Sequence, residues 1–489
     1  MIRKNTPSQL ELFAHPFDKK LDTQNRWVLL ADKFPWEELS KFYIEKMSVD
    51  MGSPGKESRM VLGAVIIKHI CNLTDVETIT NIQENVYMQY FVGLPGFQTD
   101  VIFDPSLFVT IRKRLDPEFW KQVNNLLIAK AEQKIEEDRQ DDKKKDSDSA
   151  SPDGTENDGE LLMDATTAEQ DITYPNDLGL LNQSREKLEY LIAKAVWKTG
   201  NKMPRTYKIV ARKDYLNTAK KKNKSRKTIR KAISKQLGYV SRDLKHMQKL
   251  LKDIDLKGIF KEREIQYLQD IQKVYDQQKY MYTEKTHSVK DRIVSIHQPH
   301  VRPMVRGKAG SDVEFGSKLG VSVINGFTRL ETLDWNNYNE GSDLIKSAEN
   351  YQIIYGYFPK KIIADQKYIT RDNRAWCKER NIHLSGKPLG RPTPQTDQAL
   401  RELRYDSAKR NAVEGKFGQA KRKYGMDCIK AKLKNTSESW IGAIVFVLNI
   451  VRWEQISGSF LNLIRYLLYW IKMTRNFFFK PVFQNGLFQ

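Results

Sequence analysis

Leu161-Leu162-Met163-Asp164 and Lys361-Ile362-Ile363-Ala364-Asp365 are two short apolar runs, and each ends on an acid. Apolar runs of this length read as buried strands. A carboxylate at the tip of such a strand faces the rim of an open α/β sheet, where ligands bind. A third acid, Glu414, lies inside Arg410-Asn411-Ala412-Val413-Glu414-Gly415-Lys416-Phe417-Gly418-Gln419-Ala420-Lys421. Residues 405–424 read as a helix, and at 100° per residue Arg410, Glu414, Phe417 and Lys421 fall on one face. Gly415 and Gly418 each cost a helix about 1 kcal/mol relative to alanine. Their presence suggests that another backbone or DNA comes close. Two acids on strand tips and one on a packed helix are the minimum apparatus for divalent-cation chemistry on phosphodiesters.

Outward from the first strand, Leu161–Thr167, residues 174–177 read as a turn and Leu181–Val196 as an amphipathic helix. The most basic stretch follows, from Lys202 to Lys249, and includes Lys220, Lys221, Lys222, Lys224, Arg226, Lys227, Arg230 and Lys231. Beyond it Ile233, Leu237, Val240, Leu244 and Met247 recur at helical spacing, and the pattern extends to Tyr282. A long helical hairpin is expected. Strand-like runs come next at Arg292–His297, Lys318–Ile324 and Thr328–Leu333, the last two joined by the hairpin dipeptide Asn325-Gly326. Then follow a helix at Asp343–Tyr355, the strand ending at Asp365, a helix at Thr370–Arg380, a short strand near Ile382-His383-Leu384, a Gly/Pro-rich loop at 386–395 and the Glu414 helix. This order predicts an α/β fold. The first and later strands lie side by side in a mixed sheet flanked by helices, and a helical basic insertion interrupts it at about 198–290.

Upstream, residues 26–135 read as helical. Met60–Ile70 and Ser106–Lys130 carry helical spacing, and Pro95-Gly96 breaks the run. An all-α module of helix-turn-helix type or a helical packing module would both fit. Residues 136–160 are rich in Asp, Glu, Lys, Ser and Gly and cannot bury enough apolar surface to offset ordering entropy, so an acidic disordered linker is expected there. The expected domains are 1–135, the linker 136–160, 161–456 and a hydrophobic, aromatic tail at 457–489.

With 489 residues the chain is too long for one ordinary core. Its formal charge of +21 favours a polyanionic partner, foremost nucleic acid. Three scattered cysteines, Cys71, Cys377 and Cys428, argue against a disulfide framework or a zinc ribbon and suit a reducing cytoplasm. No signal peptide is visible in residues 1–17. The apolar run at 441–451 is shorter than the roughly 20 residues of a bilayer span, and Arg465 breaks the next one. Both read as buried or partner-facing helices, with no membrane partner.

Taken together, these motifs resemble the bacterial insertion-sequence DDE transposases, which have an RNase H-like catalytic core and a helical N-terminal domain. The resemblance rests on the context of Asp164, on Ala364-Asp365, and on the Arg410-x-x-Val413-Glu414-Gly415-x-Phe417 to Lys421 signature. Arg302-Pro303-Met304-Val305-Arg306-Gly307-Lys308 and Glu314-Phe315-Gly316-Ser317-Lys318 reinforce it. It covers most of the chain from Leu161 to about Trp453, with residues 34–114 similar to the DNA-associated N-terminal domain. It implies that Asp164, Asp365 and Glu414 hold two Mg²⁺ or Mn²⁺ ions and serve both cleavage at element ends and strand transfer into target DNA. Arg410 and Lys421 would contact phosphate beside the scissile bond. The double-stranded DNA partner would also meet Arg302, Arg306, Lys308 and the basic insertion residues Lys220, Lys221, Lys222, Arg226, Lys227 and Arg230. A homodimer would form on paired ends, in a bacterial, nucleoid-associated setting. A structure-specific nuclease without strand transfer and an inactive DNA-binding protein are the rival readings. Among other groups, His297 and His300 read as loop residues, Glu314 as a partner of Lys318, and Trp335 and Tyr338 as packing aromatics.

Overall fold

The computed structural model describes residues 21–47, 55–143, 157–252, 255–308, 311–387, 390 and 396–478. The chain divides into two compact units. One comprises 1–156, the hairpin tip 323–329 and 442–489; the other comprises 157–322 and 330–441.

The first unit is helical. It contains α1 (Arg26–Lys33), α2 (Trp36–Glu45), α3 (Ser58–Ile70), α4 (Asp75–Glu84), α5 (Val86–Phe91), α6 (Leu107–Arg114) and α7 (Pro117–Lys143). Helix α3 is buried on nearly every side from Val61 to His69, as expected of a helix that is apolar all round. A capping box formed by Thr74 and Glu77 starts α4. Helix α7 runs on to Lys143, so the first residues of the expected linker are helical; residues 144–156 lie outside the described residues.

The second unit carries the sheet. Strand β1 (Glu160–Glu169) is followed by a helical block: α8 (Asp177–Thr199), α9 (Lys208–Ala219), α10 (Arg226–Leu250), α11 (Leu256–Ile259) and α12 (Glu262–Glu284). Then come β2 (Arg302–Lys308), β3 (Ser311–Ile324), β4 (Phe327–Asp334), α13 (Asp343–Tyr355), β5 (Lys361–Ile363), α14 (Arg371–Glu379), β6 (His383–Ser385), α15 (Asp397–Tyr424) and α16 (Lys434–Phe478). The strand order is β2-β3-β1-β5-β6, with β4 paired to β3. Strand β5 runs parallel to both β1 and β6, and β2 is antiparallel to β3. This is the expected mixed α/β sheet, with β1 beside the later strands.

Strand β1 sits at the centre, and Leu161, Met163, Ala165, Thr166, Thr167 and Ala168 are all buried. That is the pattern of a strand covered on both faces. Gly316 on β3 is needed for the close pairing with β1, since a Cβ there would lie 1.8 Å from the Ala168 carbonyl oxygen. The β3–β4 turn is Asn325-Gly326, with φ of +53° and +82°, the two positive values a type I′ hairpin requires.

One expected strand is displaced. Arg292–His297 forms no strand; the strand antiparallel to β3 is β2, beginning at Arg302. In the earlier segment Ile293 and Ile296 fill the core of the helical block, while Val294 turns the other way to join Val301 and Trp335. Alternating burial therefore arises there without a ladder. Strand β2 carries Pro303, which donates no hydrogen bond and is tolerated because β2 is an edge.

The helical block begins at Asp177, earlier than the expected insertion start. Helices α8, α10 and α12 bury Leu181, Leu188, Val240, Leu244, Ile271 and Val274 against one another. The apolar run at 441–451 is buried as expected. Within the first unit, Asn449 accepts from the Thr328 N–H and donates to the Thr328 carbonyl, both at 2.8 Å, and donates to Asn124 at 2.9 Å. No helix among the described residues is long and apolar enough to cross a membrane.

Candidate active site

The β1–β5 register fixes the first two acids. Leu162 pairs with Ile363, so two residues further on Asp164 is level with Asp365. Neighbouring strands lie about 4.8 Å apart. Asp164 is 13% exposed, and its Oδ1 accepts the Ala165 N–H at 2.8 Å. Asp365 caps the single helical turn Gln366–Tyr368, with Oδ1 accepting the Gln366 N–H at 2.7 Å.

Helix α15 brings the third. Its buried face includes Val413 and Ala420, and three cations pin it along β1. Lys409 pairs with Glu160 at 2.7 Å, Arg410 with Asp164 at 2.9 Å and Lys421 with Glu169 at 3.2 Å. Partner numbers rise together on both elements, so helix and strand run in the same sense. A slip of one turn, about 5.4 Å, would unmate all three. The Arg410 guanidinium also reaches Glu414 at 2.9 Å. One planar fork therefore ties Asp164 to Glu414. Apart from the backbone of α15 itself and the adjoining residues, no atom of the described residues would lie within 4 Å of a Cβ built at Gly415 or Gly418, so no packing among the described residues uses those missing side chains.

A fourth acid, absent from the sequence reading, stands beside these. Glu340 is 7% exposed. It pairs with Lys318 at 2.9 Å and with Lys367 at 3.4 Å. Its single turn, Glu340–Ser342, is fastened to the Asp365 turn by buried Asn373, whose Nδ2 donates to the Gly341 and Tyr368 carbonyls, each at 2.8 Å. Gly341 permits the approach: a Cβ there would sit 2.9 Å from the Lys367 carbonyl oxygen.

The charges of Asp365 and Glu340 are felt at Asp164. Burial pushes the Asp164 carboxyl above its ordinary range. The Ala165 N–H and Arg410 oppose that push, and the Asp365 and Glu340 carboxylates add to it. Burial also raises Glu340, but the hydrogen bond and charge of Lys318, helped by Lys367, more than offset it and leave the group below its usual value.

The expected triad of Asp164, Asp365 and Glu414 does not bring three ligand atoms within 4.8 Å of one another. Among the described residues, the group of three with ligand atoms within 4.8 Å of one another is His383, Glu402 and Asp406. Lys361 already fills that cluster, 2.7 Å from Asp406 and 3.0 Å from Glu402. It reads as an ion-pair network around a lysine.

The other sequence candidates divide. Lys220, Lys221, Lys222, Arg226 and Lys227 are exposed, at the end of α9 and the start of α10. Arg230 is exposed but engaged, donating to the Tyr282 carbonyl at 2.8 Å and lying 4.1 Å from that ring centroid. Arg302 turns inward to the Pro299 and Val301 carbonyls, a placement that works against the expected DNA contact. Arg306 and Lys308 lie on β2, and their side chains fall outside the described residues. Lys421 faces Glu169 and, at 3.7 Å, Glu314; Glu314 thus meets Lys421, while Lys318 takes Glu340. His297 bonds Tyr267 at 3.0 Å, and His300 stacks edge-on against buried Trp335. Tyr338 donates to Asp343 at 2.6 Å. All three read as packing groups. The three cysteines are free.

Residues 362–451, which include Asp365 and Glu414, match the family model described as a transposase DDE domain. Residues 15–114 match the transposase domain DUF772. The first match runs from β5 into α16, and the second covers the N-terminal helices through α6. Two separate segments of the chain are thus similar to transposase domains. Among curated proteins, the chain is 30% identical over 123 residues to "Uncharacterized protein ORF8 in nfe locus" of Rhizobium meliloti, a match spanning 24% of this chain and 57% of that protein. No solved structure matches significantly. Asp164 lies outside both matched segments, and its place rests on the β1–β5 register.

Proposed function

We propose that the protein is a DNA transposase that cleaves at the ends of an insertion sequence and joins those ends to target DNA. The observation that supports the reading is the register of β1 and β5, which ends two residues short of both Asp164 and Asp365, together with the Arg410 fork that links Glu414 to Asp164. The donor set is oxygen-only, as Mg²⁺ or Mn²⁺ prefer. Burial raises the proton affinity of Asp164, and the nearby Asp365 and Glu340 carboxylates add to it, a setting in which positive charge is favoured. Two divalent cations held by Asp164, Asp365 and Glu414 would stabilise developing charge on phosphodiester oxygens and make water or a 3′-hydroxyl a better nucleophile.

The chain's own residues supply the frame. Asn373 holds the Asp365 turn in place, and the α15 ion pairs set the height of Glu414. The planar fork of Arg410 suits bidentate contact with a phosphate arriving at the acids. Exposed Lys220, Lys221, Lys222, Arg226 and Lys227 offer a sequence-independent grip on DNA. Two protomers would be needed to hold two ends.

The test uses duplexes bearing the element's terminal repeats, with Mg²⁺ and a chelator control. Asp164→Ala, Asp365→Ala and Glu414→Ala should each lower strand cleavage on the order of 10³-fold, about 4 kcal/mol of barrier, while DNA affinity stays within a few-fold. Pre-cut ends with free 3′-hydroxyls should be joined to a plasmid. Cleavage without joining would leave a nuclease. No Mg²⁺-dependent nicking would leave a DNA-binding protein.

A further inference from the structure

A cavity of about 200 Å³ opens beside Asp164, lined by Thr166 and Thr167 of β1, Lys318 of β3, the 337–340 segment and Lys367. We infer that this cavity is a seat for a backbone phosphate of the DNA strand, with Lys367 as the group that engages it. The inference rests on the reading that the chain acts on DNA.

The two lysines are not equivalent. Lys318 is 12% exposed and spends its ammonium on Glu340 at 2.9 Å, the Tyr338 carbonyl at 2.8 Å and Asn337 at 3.2 Å. An ammonium has three N–H donors, so Lys318 is saturated and forms a fixed wall. Lys367 is 63% exposed and, among the described residues, holds Glu340 through one long contact of 3.4 Å. It therefore has donors to spare and gives up little to turn toward an anion. Glu340 answers two ammonium groups with one carboxylate, so the three leave a net charge of +1 at the cavity wall. The Asn337 and Asn339 side chains and the two threonines add neutral polar surface, which suits a phosphodiester better than a second acid would. Position matters as well: Lys367 is two residues from Asp365, and Thr166 is two from Asp164. A phosphate held here would be close along the strand to one meeting the acids.

The experiment measures binding, so it stands apart from cleavage. Thymidine 3′,5′-bisphosphate is titrated into the full chain by calorimetry at low salt, with thymidine as the uncharged control. Lys367→Ala should weaken bisphosphate binding at least tenfold. Lys367→Arg should keep it within about threefold, and Lys252→Ala, at an exposed lysine that does not line the cavity, should leave it unchanged. Thymidine should not bind measurably. The inference is overturned if the bisphosphate does not bind, if thymidine binds as well, or if Lys367→Ala and Lys252→Ala behave alike. Absence of Mg²⁺-dependent cleavage by the unsubstituted protein in the earlier test, with this binding intact, would overturn the transposase reading and leave the seat standing.

Discussion

Arg410 sits 2.9 Å from both Asp164 and Glu414, and its charge there competes with any cation drawn to the same oxygens. Arg410→Ala should tighten Mn²⁺ binding several-fold, read by the loss of the free-ion electron paramagnetic resonance signal, because one positive charge leaves the site. Unchanged Mn²⁺ affinity would mean that the ions bind elsewhere. Gly316 makes a second single-residue prediction. Gly316→Ala places a Cβ against the Ala168 carbonyl and should destabilise the fold by about 1–3 kcal/mol, as overpacking does, measured by chemical denaturation. At this scale the sequence singled out Asp164, Asp365 and Glu414 as candidates because each sits in a periodic context, a strand tip or a helix face. Glu340 and Asn373 were not legible. Glu340 follows Asn339 just before a helix, where acids ordinarily serve as caps. The work of Asn373 depends on two carbonyls from separate turns, which no local pattern announces.

Among the elements, α15 is the one whose placement matters most, because Glu414 follows wherever it packs. Val413 is fully buried on its inner face. Val413→Ala should cost about 2 kcal/mol of stability and reduce cleavage more than binding, since the helix then loses its seat on β1. Helix α10 makes a different prediction. Asp243 is fully buried, and neither carboxylate oxygen has a hydrogen-bond partner. Burial first, then the Glu189 carboxylate, pushes it up to about 7, against the pull of Arg185 and Arg242. Its folded value exceeds the roughly 3.9 of an unfolded aspartate. The stability it contributes is therefore complete below about 3.9 and lost as pH rises through about 7. Thermal melts should show the wild-type midpoint falling between about pH 4 and pH 7, and Asp243→Asn should flatten that dependence. The helices of this block were legible from their 3.6-residue period. The Arg292–His297 segment misled because alternation by itself does not distinguish a strand from a chain threading between two apolar clusters.

Over the whole molecule, the basic balance and the exposed lysines of the helical block predict salt-dependent DNA binding. Replacing Lys220, Lys221 and Lys222 together by alanine should reduce the slope of log K against log salt by about 2–3, close to one per lost phosphate contact. An unchanged slope would remove this loop from the interface. The sheet order was legible in outline because strand, hairpin and helix signals come in an order that allows few topologies. What brings the 160s, the 360s and the 410s together is a ladder and a set of ion pairs, visible only once the chain is folded. The most direct test of that gathering is Fe²⁺ substituted for Mg²⁺ on the DNA-bound protein, with hydroxyl-radical cuts in the polypeptide mapped by mass spectrometry. The account predicts cuts near residues 164, 365 and 414 that disappear together in Asp164→Asn. Cuts confined to the neighbourhood of His383, Glu402 and Asp406, unaffected by that substitution, would contradict it.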